Sequence, residues 1–296
     1  MKPSYLALGI VEIEDRKSRL INLLDRCKLC PLRCGVDRLN GEHGVCQTGR
    51  SAFVSSFGPH LGEEAVLVGQ NGSGTVFFAG CNLRCHFCQN YEISQLRIGK
   101  EVEKEELALL MLRLKKMGCH NINLVSPTHI IPQVVEALPI AVEGGLDLPI
   151  VYNSGGYDSV ETLKILEGLV DIYMPDAKYG DDEIAKDLSG IDDYWQVNQA
   201  ALLEMHRQVG DLVVEKGIAR RGMIIRHLVL PSGLARSEIV LKFIAESLSK
   251  DSYVNIMDQY HPAYLAFEDR RIAQRVTDRE YRAVIDYARS VGLKSV

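Results

Sequence analysis

Apolar and polar residues follow two different rhythms along the chain, and the change falls near residue 74. Over residues 11–25, Ile13, Leu20, Leu23 and Leu24 stand among charges at helical spacing, which predicts an amphipathic helix leading into Cys27. Residues 27–73 are rich in Cys, Gly and Pro and carry too little periodic apolar sequence for a core of their own. That region is expected to depend on a metal or on packing against the rest. Beyond it, short apolar runs alternate with longer helical patterns. Strands are predicted over 75–79, 121–125, 149–153, 170–174, 223–230 and 253–257, with helices over 101–117, 130–143, 159–168, 182–209, 237–250 and 278–291. Repeated strand-then-helix units predict a parallel sheet with its crossovers outside. Six units, rather than the eight of a closed barrel, predict a partial barrel. The expected organisation is a Cys-rich metal-binding region, 1–73, followed by the partial barrel and its C-terminal helix, 74–296.

With 296 residues, 46% of them hydrophobic and 25% charged, the chain can bury a full core, which excludes a disordered protein. Its formal net charge of -5 provides no overall basic field, so long nucleic acids and anionic lipid are disfavoured as partners. Residues 1–10 lack a long apolar run behind a basic start, and no window approaches the roughly 18 apolar residues of a membrane span. A cytoplasmic protein is expected. In such a reducing compartment, eight cysteines argue for metal or redox chemistry rather than disulfides. Seven of them crowd between Cys27 and Cys88, where random placement would scatter them.

In parallel α/β folds the chemistry gathers at the carboxyl ends of the strands. Directly after the first predicted strand, Gly80-Cys81-Asn82-Leu83-Arg84-Cys85-His86-Phe87-Cys88 places three thiols in one loop. Three soft thiolates can hold three irons of a cubane cluster and leave the fourth iron open to a substrate or cofactor. A zinc knuckle, or three unrelated buried cysteines, would use the same residues without that chemistry. Earlier in the chain Cys27, Cys30, Cys34 and Cys46 are interspersed with Gly35, Gly41 and Gly44. Four thiolates close a coordination sphere, so these residues suggest a structural zinc or an auxiliary iron–sulfur cluster, and spacing does not choose between them. Cys119 reads as a small buried hydrophobe.

The three-cysteine loop, with Phe87 before its last cysteine, resembles the signature of the radical S-adenosylmethionine (SAM) superfamily. The stretches 27–47, 57–64, 72–90, 153–157, 174–179 and 226–231 further resemble the PflX branch of pyruvate formate-lyase activating enzyme-like proteins. The resemblance implies a TIM-like partial (β/α)6 barrel with a 4Fe-4S cluster on Cys81, Cys85 and Cys88. SAM would chelate its open iron and be cleaved reductively to a 5'-deoxyadenosyl radical that abstracts hydrogen. Partners implied are a protein substrate of the glycyl-radical type and a reductant such as flavodoxin or ferredoxin. Radical chemistry on a small molecule or another macromolecule is the alternative, and a non-enzymatic zinc-binding interaction module a remote one.

Where activating enzymes carry a Gly-Gly-Glu run facing the amino end of SAM, this chain has Ser126-Pro127-Thr128-His129. The hydroxyls of Ser126 and Thr128 could receive the ammonium, or could cap the helix that follows. Asp176 and Lys178, two apart in extended chain and hence on one face, resemble an Asp-x-Lys element that faces SAM and substrate. A surface ion pair is the bland alternative. Asn153, Arg226 and His227 are further candidates for ribose, carboxylate or substrate contacts, although a histidine inside an apolar strand often serves only the core.

Overall fold

The structure, a computed structural model, describes all residues 1–296. Its sheet contains nine strands: β1 (Ala52–His60), β2 (Ser73–Phe78), β3 (Lys100–Val102), β4 (Ile122–Val125), β5 (Ile150–Ser154), β6 (Ile172–Pro175), β7 (Val213–Glu215), β8 (Ile218–Leu228) and β9 (Tyr253–Met257). The neighbours β2, β4, β5, β6, β8 and β9 all run parallel. These are the six strands expected from the apolar runs, and they form the α/β partial barrel. Helices cover the sheet: α1 (Tyr5–Asn22), α2 (Ala65–Val68), α3 (Tyr91–Ser94), α4 (Lys104–Lys116), α5 (Ile131–Glu143), α6 (Val160–Leu166), α7 (Asp182–Ser189), α8 (Tyr194–Val209), α9 (Ser237–Phe243) and α10 (Asp278–Ser290). Because the crossovers bury the sheet, β5 and β6 are buried at every position and read as apolar runs without alternation, β5 up to its polar end at Asn153 and Ser154.

Three features differ from the sequence expectation. The single helix expected over 182–209 is two, since Gly190 takes the left-handed conformation that ends α7 and the chain turns before α8. The strand expected to begin at 223 begins at Ile218, because Lys216 and Gly217 both adopt positive φ and close a tight hairpin between β7 and β8. Within the Cys-rich region, β1 pairs antiparallel with β2 on one side and β3 on the other. The 52–60 stretch therefore extends the same sheet. The outer edges are modest: β3 has three residues, two of them exposed and charged, and β9 bridges to Ser295 near the chain end.

The main core lies between sheet and helices, and the tail end of α1 and Leu29 belong to it. A second apolar cluster underlies the cysteine loop, with Leu83, Phe87, Tyr157, Tyr179, Tyr194 and Tyr260 at its centre. No helix is long and apolar enough to cross a membrane.

Candidate active site

The loop after β2 is held from several sides. Gly80 takes φ +87°, and a Cβ there would stand 2.5 Å from the Cys46 carbonyl oxygen, so only glycine lets the loop rest on the N-terminal region. Arg84 donates to Gln95 Oε1 (2.8 Å) and to the Val45 carbonyl (2.6 Å), while Asn82 Nδ2 donates to the Tyr157 carbonyl (2.8 Å). Phe87 packs edge-on against Tyr179 and Tyr260. Thus fixed, Cys81, Cys85 and Cys88 line one cavity of about 350 Å³ at the carboxyl ends of the parallel strands.

Each sulfur has a polar neighbour, and Cys81 has a second in Asn82 Oδ1 (3.9 Å). The Leu83 N–H donates to Cys81 Sγ (3.4 Å), the Ser189 hydroxyl donates to Cys85 Sγ (3.0 Å), and Cys88 Sγ lies 3.1 Å from Ser94 Oγ. Burial pushes the Cys81 thiol up to about 12 and raises Cys85 also, with the Lys178 ammonium opposing both shifts. A metal centre must displace those protons, and donors on sulfur favour the thiolates that remain. No three His, Cys, Asp or Glu side chains in the chain converge as for a single metal ion. A cubane, by contrast, takes its thiolates on separate irons. The donor set therefore fits a three-thiolate cluster with one side open to the cavity.

Facing the thiols is a charged network. Asp176 pairs with Lys178 Nζ through Oδ2 and with Arg226 through Oδ1 (2.8 Å), and Arg226 Nη2 also donates to Asn153 Oδ1 (2.7 Å). Asp176, Lys178 and Arg226 are only 13%, 17% and 19% exposed, so the pair is not on the surface. Burial works against the Asp176 charge, but the two cations outweigh it and hold the carboxyl below its ordinary range. Lys178 is likewise raised, its partner outweighing burial. Gly156 (φ +75°) permits this arrangement, because any Cβ there would collide with the Asp176 carbonyl.

The remaining candidates separate. Ser126 lines the cavity in a left-handed conformation (φ +59°), its N–H bonded to the Asn153 carbonyl (2.8 Å). Such conformations in a residue other than glycine cluster at functional sites. Thr128 does not line the cavity: its hydroxyl donates to buried Asp158 (2.7 Å), which also receives Tyr152 and Ser154. Neither hydroxyl caps α5, whose N-cap is Ile130. His227 also faces away, donating Nδ1–H to the Ala177 carbonyl (2.6 Å) and accepting at Nε2 from Ser237 (2.8 Å). Its burial pushes the imidazole down to about 4. Phe87 supports the loop from below and borders a second cavity, of about 210 Å³, that adjoins the first.

Cavity residues that escaped the sequence reading include His60, which ends β1, and Glu63, in the turn that follows; Glu63 approaches Arg226 at 4.0 Å. Burial raises the Glu63 carboxyl, Arg226 partly offsetting it. The only sequence signal was the 57–64 stretch, which took part in the family resemblance.

In the N-terminal region Cys27, Cys30 and Cys46 are buried and Cys34 is exposed. The Cys27 N–H donates to the Val36 carbonyl, and the Gly35 N–H returns to the Cys27 carbonyl, so the loop folds back on itself. Burial pushes the Cys30 thiol up to about 12, and Cys46, Cys27 and Cys34 are close enough to add to the shift. Cys119 is buried in the main core.

Comparisons with known proteins agree with this geometry. The model of the radical SAM superfamily matches residues 75–218. The chain is 33% identical to uncharacterized protein MJ0674 of Methanocaldococcus jannaschii, across 99% of its own length and 81% of that protein. It is 32% identical over 137 residues to the pyruvate formate-lyase-activating enzyme of Clostridium pasteurianum, spanning 44% of this chain and 56% of that one. Among solved structures it is similar to HydG, a maturase of the [FeFe]-hydrogenase, at 12% identity and a TM-score of 0.46. That likeness covers 72% of this chain and 47% of HydG, about half its length. From its matched barrel and its three-cysteine loop, the chain belongs to the radical SAM superfamily, whose members use SAM and a 4Fe-4S cluster.

Proposed function

We propose that this protein is a cytoplasmic, PflX-type activating enzyme that binds a 4Fe-4S cluster on Cys81, Cys85 and Cys88 and cleaves SAM reductively to abstract hydrogen from a protein of the glycyl-radical type. The observation that carries the reading is the meeting, in one buried cavity, of three thiols and the Asp176–Lys178–Arg226 network. When bound, the cluster supplies the electron that splits the sulfonium bond of SAM into methionine and a 5'-deoxyadenosyl radical. The protein's share is placement and exclusion of water.

Lys178 and Arg226 present positive charge to the cavity, suited to a carboxylate, and Asp176 holds both at fixed positions. Asn153 locks Arg226 from the other side, and Ser126 offers a hydroxyl at the neighbouring strand end. Phe87, wedged among tyrosines, keeps the loop from shifting as the thiols are loaded. The likeness to a pyruvate formate-lyase-activating enzyme supports a protein substrate. A low-potential donor such as flavodoxin or ferredoxin would complete the system. A second centre, zinc or an auxiliary cluster, belongs on Cys27, Cys30, Cys34 and Cys46.

One observation favours a second reading, a small-molecule substrate: the adjoining cavity of about 210 Å³ has apolar walls from Phe87, Leu228 and Met257. The test reconstitutes the protein anaerobically with iron and sulfide, then supplies SAM and dithionite. Formation of 5'-deoxyadenosine is expected, and its absence would overturn the radical reading. Added pyruvate formate-lyase should then acquire a glycyl-radical EPR signal; 5'-deoxyadenosine without that signal favours the small-molecule reading.

A further inference from the structure

Arg38 has almost no exposure, 1%, yet no carboxylate partner. It begins the turn Arg38–Asn40, fixed by its own N–H on the Leu24 carbonyl and by Asp37, whose side chain accepts from the Asn40 N–H. Its Nε donates to the Gly49 carbonyl (3.1 Å), its Nη1 reaches Cys27 Sγ at 3.9 Å, and its Nη2 has no partner. His129, which feels the Arg38 charge, is spent at Nε2 on the Ala79 carbonyl and unpartnered at Nδ1, and Arg97 adds a second cation to the same neighbourhood. A buried guanidinium beside a neutral thiol, which is a weak acceptor, is costly.

Cysteines cluster where the missing charge is needed, at a spacing too wide for one shared ion but open to a core that takes each thiolate on its own iron. Cys27 is the one side chain that Arg38 reaches, and Cys30, Cys34 and Cys46 stand within electrostatic reach of one another around it. Each cysteine gives its proton to solvent on binding, so four thiolates around a 2+ iron–sulfur core, one on each iron, leave a net negative centre. We propose that Cys27, Cys30, Cys34 and Cys46 bind such a core as four thiolates and that Arg38 is the buried counter-charge that makes the centre stable. The assignment stands apart from the radical reading, since it uses none of the residues on the large cavity. It also makes the Cys46 segment, which rests against Gly80, a rigid brace for the loop of the other three cysteines.

The experiment uses the full chain with Cys81→Ala, Cys85→Ala and Cys88→Ala together, which leaves only the N-terminal cysteines to hold metal. Anaerobic preparations should contain about four irons with matching sulfide, and one zinc without sulfide would overturn the iron–sulfur core. Adding Cys27→Ser and Cys30→Ser should remove it. In the triple-variant background Arg38→Met should lose its metal to EDTA at least ten times faster, while Arg38→Lys, which keeps the charge, should recover much of the retention. A triple variant without metal, Arg38→Met as retentive as Arg38, or a loss that Arg38→Lys does not relieve would each overturn the proposal. Should Arg38→Met fail to fold, stripping the triple variant with EDTA decides instead. Amide exchange over 36–41 should then rise at least tenfold, and unchanged exchange refutes the pairing.

Discussion

Replacing Asp176 by Asn removes one charge from the cavity and leaves the side-chain shape almost unchanged. Two cations, Lys178 and Arg226, then lose their shared partner at 13–19% exposure, with Glu63 the nearest remaining carboxylate at 4.0 Å from Arg226. Breaking a fully buried pair costs about 3–5 kcal/mol. Partial exposure and the Glu63 contact reduce this to about 2 kcal/mol, or roughly 3 °C in thermal midpoint for a chain of this length. If the network also places SAM or substrate, 5'-deoxyadenosine formation should slow at least tenfold, equivalent to about 1.4 kcal/mol in the barrier. Iron and sulfide should stay as in the unsubstituted chain, because Asp176 is not a ligand. The pH dependence has a definite sign. A carboxyl held below its usual 3.8 contributes stability that is present above about pH 4 and is lost as pH falls through the folded value. The stability difference between the two proteins should therefore close in the acid limb. Iron, sulfide, thermal midpoint and 5'-deoxyadenosine are measured on the same anaerobic preparations. A lower midpoint with full turnover would refute the placement role and leave a purely structural network.

Cys81→Ala, Cys85→Ala and Cys88→Ala should each abolish reductive SAM cleavage, scored as 5'-deoxyadenosine under dithionite. Gly156→Ala drives a Cβ into the Asp176 carbonyl and should cost at least about 2 kcal/mol together with turnover, read by calorimetry and by the same assay. Glu63, whose carboxyl is raised by burial, contributes less stability as pH rises above 4.5; Glu63→Gln should raise the thermal midpoint at pH 7 and lose that gain below about pH 4.5. His129 and His227, both pushed down to about 4, should make stability fall as pH drops from about 6.5 to about 4. The two protons set a slope of roughly 2.7 kcal/mol per pH unit, and His227→Gln should halve it in calorimetric titration.

The parallel strands were legible because strands covered on both faces are largely apolar, as in Ile172–Pro175 and in Ile150–Ser154 up to its polar end at Asn153 and Ser154. Strand β1 was not, since its alternation stops after Val54, where a bulge breaks the period and the remaining residues are half-exposed or exposed. At the site, the cysteine loop was evident from spacing. The finer error came from treating a strand end as one surface. Arg226 and His227 are adjacent, so they point to opposite faces: the arginine into the cavity, the histidine to Ser237 behind the sheet. Thr128 was drawn away by Asp158, a buried carboxylate that needs several donors and that no local pattern announces. Glu63 and His60 arrive from a hairpin preceding the first expected strand, so only tertiary pairing brings them in.

The way the sheet ends governs how any large partner can approach. Strands β3 and β7 have three residues each, and Ser295 engages the start of the outer rim of β9 through the Val254 N–H. No rim offers more than a short run of free backbone donors and acceptors, so a visiting peptide gains little by lying alongside as an added strand. Selectivity must then be written in side chains around the mouth, where exchange of a few residues can retarget the enzyme without disturbing its scaffold.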